Sequence, residues 1–150
     1  MENKTVIGFI GAGNMAYALI KGLLSDGFEA KNINVSDANP ELLEKRSSEL
    51  GVTAQPDNVS LLNNSDIVVF AVKPQVLSVV CHELKNKAST DQLFVSIVAG
   101  IKSKDINRWL GGDFALVRTM PNTPALFQSG VTGLYANELV NDIQKESVNL

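Results

Sequence analysis

The stretch "VIGFIGAGNMAYALIKGLL" at residues 6–24 decides the fold. Residues 5–10 are β-rich and apolar, whereas Met15, Leu19, Ile20, Leu23 and Leu24 recur at helical spacing. Between the two lies Gly11-Ala12-Gly13-Asn14-Met15-Ala16, a G-x-G-x-x-G/A turn. Gly11 permits a tight turn, Gly13 leaves backbone open to a close-approaching group, and Ala16 is small enough for the helix to pack against the strand. The N–H groups of a first helical turn lack intrahelical acceptors and suit the phosphates of a dinucleotide. A structural turn without a ligand has the same local pattern, and the surrounding strand-turn-helix order favours the ligand.

Working outward, the alternation repeats. "NINVSD" at residues 32–37 is short and β-branched, Pro40 opens a helix carrying Leu42, Leu43 and Leu50, and Gly51 closes it. A short extended piece at residues 52–54 and a helical turn in "DNVSLLNNS" lead to "DIVVFAV" at residues 66–72, which reads as a buried parallel strand. Pro74 opens a helix expected to turn Val76, Val79, Val80 and Leu84 inward, and "LFVSIVAG" at residues 93–100 forms another buried strand. A helix over residues 103–110 ends at Gly111-Gly112, and strands follow at residues 114–118 and 131–136, separated by a loop. Such alternation predicts an α/β fold with a doubly wound, mostly parallel sheet. Residues 1–150 are expected to form one dinucleotide-binding domain, with a last helical pattern running to Leu150 as though cut inside a helix.

Composition narrows the function. With 45% hydrophobic residues a chain of 150 residues can bury a core. Its 13 basic and 16 acidic side chains give a net charge of -3 and are scattered, which argues against nucleic acid as a partner. A single cysteine, Cys81, fits a reducing compartment, and the absence of a signal-like start or an apolar span points to the cytoplasm and away from the membrane. His82, the only histidine, neighbours Cys81 on a helix where adjacent side chains diverge, so neither a metal site nor a Cys-His nucleophile pair is expected.

Asp37 stands at the end of the second strand, where dinucleotide folds place an acidic acceptor for the ribose hydroxyls. Facing a 2′-phosphate it would cost about 4 kcal/mol at ~4 Å and an effective dielectric of 20, which favours NAD(H). Ser36, Ala38 and Asn39 are neutral, with Lys45 and Arg46 one or two helical turns away. The alternative makes Asp37 a turn residue. Two further segments, "AVKP" (Ala71, Val72, Lys73, Pro74) and "VAGI" (containing Ala99 and Gly100), follow strand ends where such folds bind ligands. Lys73 suits a cofactor phosphate or a substrate carboxylate, or is simply an exposed lysine.

Taken in order and spacing, "GFIGAGNMA", "AVKP", "SIVAGI" and "RTMPNTPAL" resemble the N-terminal part of the pyrroline-5-carboxylate reductases, across nearly the whole chain. "MPNTP" after "AVKP" separates the pattern from 6-phosphogluconate and 3-hydroxyisobutyrate dehydrogenases. The resemblance implies a Rossmann NAD(P)-binding domain and metal-free hydride transfer from NADPH or NADH to the C=N bond of 1-pyrroline-5-carboxylate, giving L-proline. It puts Gly11, Ala12, Gly13, Asn14 and Met15 on the pyrophosphate, and Ser36 and Asn58 near the adenosine. Ala71, Val72, Lys73, Pro74, Ala99 and Gly100 would border the nicotinamide ribose and ring, and Asn122 and Thr123 the substrate side. It favours NADP(H), from which Asp37 departs, since the family has a neutral or basic 2′-phosphate pocket. It further implies a helical dimerisation domain absent from this chain, so that the whole protein is a homo-oligomer. No catalytic acid is assigned. The readings of other classes are a dinucleotide-binding module without catalysis and a dehydrogenase of another small substrate.

Overall fold

The computed structural model describes residues 5–119 and 134–136. Among these residues seven strands form one sheet: β1 (Ile7–Ile10), β2 (Ile33–Ser36), β3 (Thr53–Ala54), β4 (Ile67–Phe70), β5 (Leu93–Ser96), β6 (Ala115–Thr119) and β7 (Leu134–Ala136). Their spatial order is β3-β2-β1-β4-β5-β6-β7, parallel throughout except for the antiparallel β6-β7 pair. The helices between them are α1 (Asn14–Ser25), α2 (Pro40–Leu50), α3 (Asn58–Asn63), α4 (Pro74–Leu84) and α5 (Ser103–Leu110), with a 3-10 turn at Ala30–Asn32 that the sequence pattern does not announce.

Strand pleating divides the apolar residues between two cores. Ile7 and Phe9 of β1 join Ile33, Val35, Val69 and Val95 under α1 and α2, where Ala16, Leu19, Ile20 and Leu23 are buried. Ile10, Val68, Phe70 and Phe94 face the opposite side, under Leu61 and Leu62 of α3, Leu77, Cys81 and Leu84 of α4, and Ile106 and Leu110 of α5. There Phe70 and Phe94 stack at 5.7 Å, and Phe114 meets Phe94 edge-on at 5.6 Å. The expected doubly wound sheet is therefore the observed one.

Local chemistry sets the helix ends. Asn39 accepts from the N–H groups of Glu41 and Leu42 at 3.1 and 3.2 Å, Pro40 occupies the first turn, and Gly51 closes α2 in the left-handed conformation at φ 74°. Asp57 caps α3 by accepting from Ser60 N–H at 2.7 Å, and that backbone bond holds its carboxyl below its ordinary range. Strands β4 and β5 are shorter than the apolar runs that contain them: residues 71–72 and 97–100 leave the sheet and form the loops at its carboxyl edge.

One expectation is overturned. Helix α4 buries Leu77, Val80, Cys81 and Leu84, whereas Val76 and Val79 are 39% and 60% exposed. The helix is apolar on two adjoining arcs, and only one docks on the sheet. Burial among these neighbours pushes the Cys81 thiol up to about 12, so it serves as a packing group. His82 points outward, its Nδ1 2.6 Å from the Ser78 carbonyl. Among the described residues no helix is long and apolar enough to cross a membrane, and no group of three acidic, histidine or cysteine side chains is placed to hold a metal. The expected final helix and the loop bearing Asn122 and Thr123 lie outside the described residues.

Candidate functional site

The strand order reverses between β1 and β4, and in doubly wound sheets the crevice beyond the carboxyl ends of two such strands binds the ligand. Here it holds a cavity of about 460 Å³. Its floor is Ile10, Gly11 and Gly13 after β1. One wall is Asp37, Ala38 and Leu42 from the end of β2 and α2. The other is Ala71, Val72 and Lys73 after β4, continued by Val76, Val79, Val80 and Glu83 of α4, with Asn58 at the start of α3.

The two glycines of the turn do different work. Gly11 has φ 107°, and a Cβ there would sit 2.5 Å from the Ala71 carbonyl oxygen, so both conformation and space require glycine. Gly13 has an ordinary φ of -74°, and a Cβ on it would meet nothing within 4 Å. Nothing in the fold forbids a side chain at Gly13; the open space above it belongs to the cleft. Gly13 is also the N-cap of α1, with no side chain bonding the first turn and no acidic residue within it. The N–H groups of the first turn thus have no side-chain cap, and they and the positive end of the helix dipole have the chemistry that suits an anion.

Charged side chains hold this turn in place. Asp37 accepts from Ala12 N–H through Oδ2 at 2.8 Å and from Asn39 N–H through Oδ1 at 2.8 Å. Arg46 donates from Nε to the Ala12 carbonyl at 3.0 Å and from a terminal nitrogen to Asn14 Oδ1 at 3.2 Å, its guanidinium 4.4 Å from the centre of the Tyr17 ring. Gly11 N–H donates to the Ser36 carbonyl at 2.8 Å, tying the turn to β2. Ser36 is buried and donates to Asn58 Oδ1 at 2.7 Å, while Asn58 Nδ2 donates to Glu83 Oε1 at 3.4 Å. The Asn58 amide thus bridges β2 and α4 beside the cleft.

Of the residues singled out from the sequence, Gly11, Gly13, Asp37, Asn58, Ala71, Val72 and Lys73 meet in this cleft. Ala12 is buried beneath it, Asn14 and Met15 open α1, Ser36 stands behind Asn58, and Pro74 is the first residue of α4. Ala99 and Gly100 are exposed at the end of β5, one strand away, and do not line the cavity. Lys73 is exposed with no ion-pair partner among the described residues. The wall formed by Val76, Val79 and Glu83 is not among the residues singled out from the sequence for the site. The second apolar arc of α4 was its signal, since one arc suffices to dock a helix. Arg46 gains its role only from its contacts with Ala12 and Asn14, and no local pattern assigns it one.

Fold and cleft define a dinucleotide-binding α/β domain of the doubly wound, Rossmann kind. Residues 6–100 match the family described as NADP oxidoreductase, coenzyme F420-dependent, and the chain belongs to that family. It is 44% identical over 140 residues to the pyrroline-5-carboxylate reductase of Pseudomonas aeruginosa, covering 93% of this chain and 51% of that protein. Among solved structures, a pyrroline-5-carboxylate reductase from Coxiella burnetii superposes with a TM-score of 0.85 at 37% identity, covering 99% of this chain and 58% of the other. The Plasmodium falciparum pyrroline carboxylate reductase with NADP bound gives 0.81 at 27% identity, covering 99% and 54%. The chain spans about half the length of the curated relatives it matches.

Proposed function

We propose that this chain is the cofactor-binding part of a reductase that converts 1-pyrroline-5-carboxylate to L-proline with a reduced nicotinamide dinucleotide. The observation that carries the reading is the open backbone at Gly13, uncapped and free of carboxylates in the first turn of α1, at the point where the strand order reverses. The similarity to pyrroline-5-carboxylate reductases supports the substrate. Bound in this cleft, a reduced nicotinamide would supply the hydride for the carbon of the C=N bond, with a proton taken up at the nitrogen.

In this reading Gly13, Asn14 and Met15 present N–H groups to the pyrophosphate, and Ala38, Val76 and Val79 give the adenosine an apolar wall. Asn58 offers its amide beside the ribose. Ala71, Val72 and Lys73 border the nicotinamide side, where the small Ala71 leaves room for a flat ring, and the resemblance adds Ala99 and Gly100, which lie one strand away outside the cavity. The resemblance assigns Asn122 and Thr123, outside the described residues, to the substrate side. NADPH is the reductant, supported by the family's description and by the NADP-bound relative, and the negative charge of Asp37 is the feature that favours NADH. The reading carries with it a homo-oligomeric whole protein, which rests on the resemblance, acting in the cytoplasm, which rests on the single cysteine Cys81 and the sequence pattern.

Calorimetric titration of this chain with NADPH and NADH tests the first half, with NADPH expected to bind more tightly. Oxidation of NADPH on adding 1-pyrroline-5-carboxylate, compared with the Pseudomonas aeruginosa enzyme, tests the substrate. Binding of neither dinucleotide would refute the reading.

A further inference from the structure

The turn that would receive the pyrophosphate is built from residues with little stiffness of their own: Ala12 sits between Gly11 and Gly13. Its two backbone groups are nevertheless both held by charged side chains. The N–H donates to Asp37 Oδ2 at 2.8 Å, and the carbonyl accepts from Arg46 Nε at 3.0 Å. Each clamping group is itself anchored. Asp37 Oδ1 accepts from Asn39 N–H at 2.8 Å, just ahead of α2, and Arg46 lies on the Tyr17 ring while its terminal nitrogen reaches Asn14. Opposite charges thus grip opposite backbone groups of one residue, with bonds of the charge-assisted kind.

We infer that Asp37 and Arg46 are positioning residues that fix the glycine turn for phosphate binding, and that Asp37 is committed to the turn rather than to discriminating NADH from NADPH. The inference rests on the dinucleotide reading above and departs from it at Asp37. Both Asp37 oxygens already accept a backbone N–H at 2.8 Å. A carboxylate that turned to read a ribose diol would release Ala12 N–H, which is buried and would lose its acceptor. Arg46 brings a second consequence: its guanidinium nitrogen stands 3.0 Å from the Ala12 carbonyl, which adds a positive charge to the turn that would receive the pyrophosphate.

The test uses D37A, D37N, R46M and R46K and the D37A/R46M double variant, with calorimetric Kd for NADPH and for NADH and amide hydrogen exchange at Ala12 without cofactor. D37A and R46M should each raise both Kd values about tenfold, about 1.4 kcal/mol, leaving their ratio within about twofold. D37N and R46K, which keep one of the bonds, should recover part of the loss. The double variant should lose less than the product of the single effects, because both act on one residue. Ala12 N–H should exchange slowly in the parent and fast in D37A, a readout that a loss of global stability would spread over the whole sheet. A shift of the NADPH-to-NADH ratio of tenfold or more in D37A would assign Asp37 to the ribose and overturn the inference, as would unchanged Kd values or unchanged exchange at Ala12. If the parent binds neither dinucleotide, the functional reading falls by itself, and slow Ala12 exchange lost in D37A still upholds the clamp.

Discussion

Gly13→Val separates a ligand requirement from a folding requirement. The Gly13 backbone lies at φ -74°, open to any L-residue, and its missing Cβ would point into space with nothing within 4 Å. Two terms of opposite sign then act on stability. Removing glycine from the unfolded ensemble stabilises by about 0.4–1 kcal/mol, and an apolar residue at the N-cap of α1 costs an amount of the order of 1 kcal/mol. The apo variant should therefore melt within a few degrees of the parent. Binding should behave differently, because the added carbons occupy the space through which a phosphate oxygen must come to ~2.9 Å from the backbone nitrogens. Cofactor at one hundred times its Kd should raise the parent's stability by about 2.7 kcal/mol, or roughly 5–10 °C in Tm for a domain of this size. The variant should show no such rise, and calorimetry should find NADPH weakened at least about a hundredfold, about 2.7 kcal/mol. A Gly13→Val chain that folds and binds NADPH within about threefold of the parent would refute the assignment of this turn to the phosphates.

The neighbouring Gly11→Ala should show the reverse order of effects: with φ 107° and the Ala71 carbonyl 2.5 Å from the new Cβ, stability falls by about 1–3 kcal/mol, read from urea midpoints. Val79→Lys should leave Tm nearly unchanged, since Val79 is 60% exposed, yet weaken NADPH several-fold by calorimetry, and an unaltered Kd would remove the adenosine from that wall. At low pH the cap of α3 should fail. Its Asp57 carboxyl is held down chiefly by the Ser60 backbone N–H, so the folded form titrates below the unfolded one. The stabilisation is present above the unfolded value of about 3.9 and is lost as pH falls through the folded one; in Asp57→Ala that part of the acid dependence should disappear from melts recorded across this range.

Strands, helices and the glycine turn were legible in the sequence because each depends on neighbours within a few positions. The run at residues 5–10, the turn at Gly11 and Gly13, the Asn39-Pro40 start and the Gly51 end of α2 act through backbone preferences that travel with the residue types. Repetition of that local order was enough to predict a doubly wound sheet. Three features needed the tertiary structure. Helix α4 is apolar on two arcs, and periodicity cannot choose between them; the sheet buries Leu77 and Cys81 and leaves Val76 and Val79 to the cleft. Asp37 stands where a ribose acceptor is expected, and besides Asn39 it bonds Ala12, 25 positions earlier in the chain. Arg46 meets the same residue across 34 positions. Pairings over such distances follow from how β1, β2 and α2 stack and leave no trace in a window of the chain, so several residues of the candidate cleft could be picked out from the sequence, while the groups that hold its turn in shape were decided only when distant segments came together.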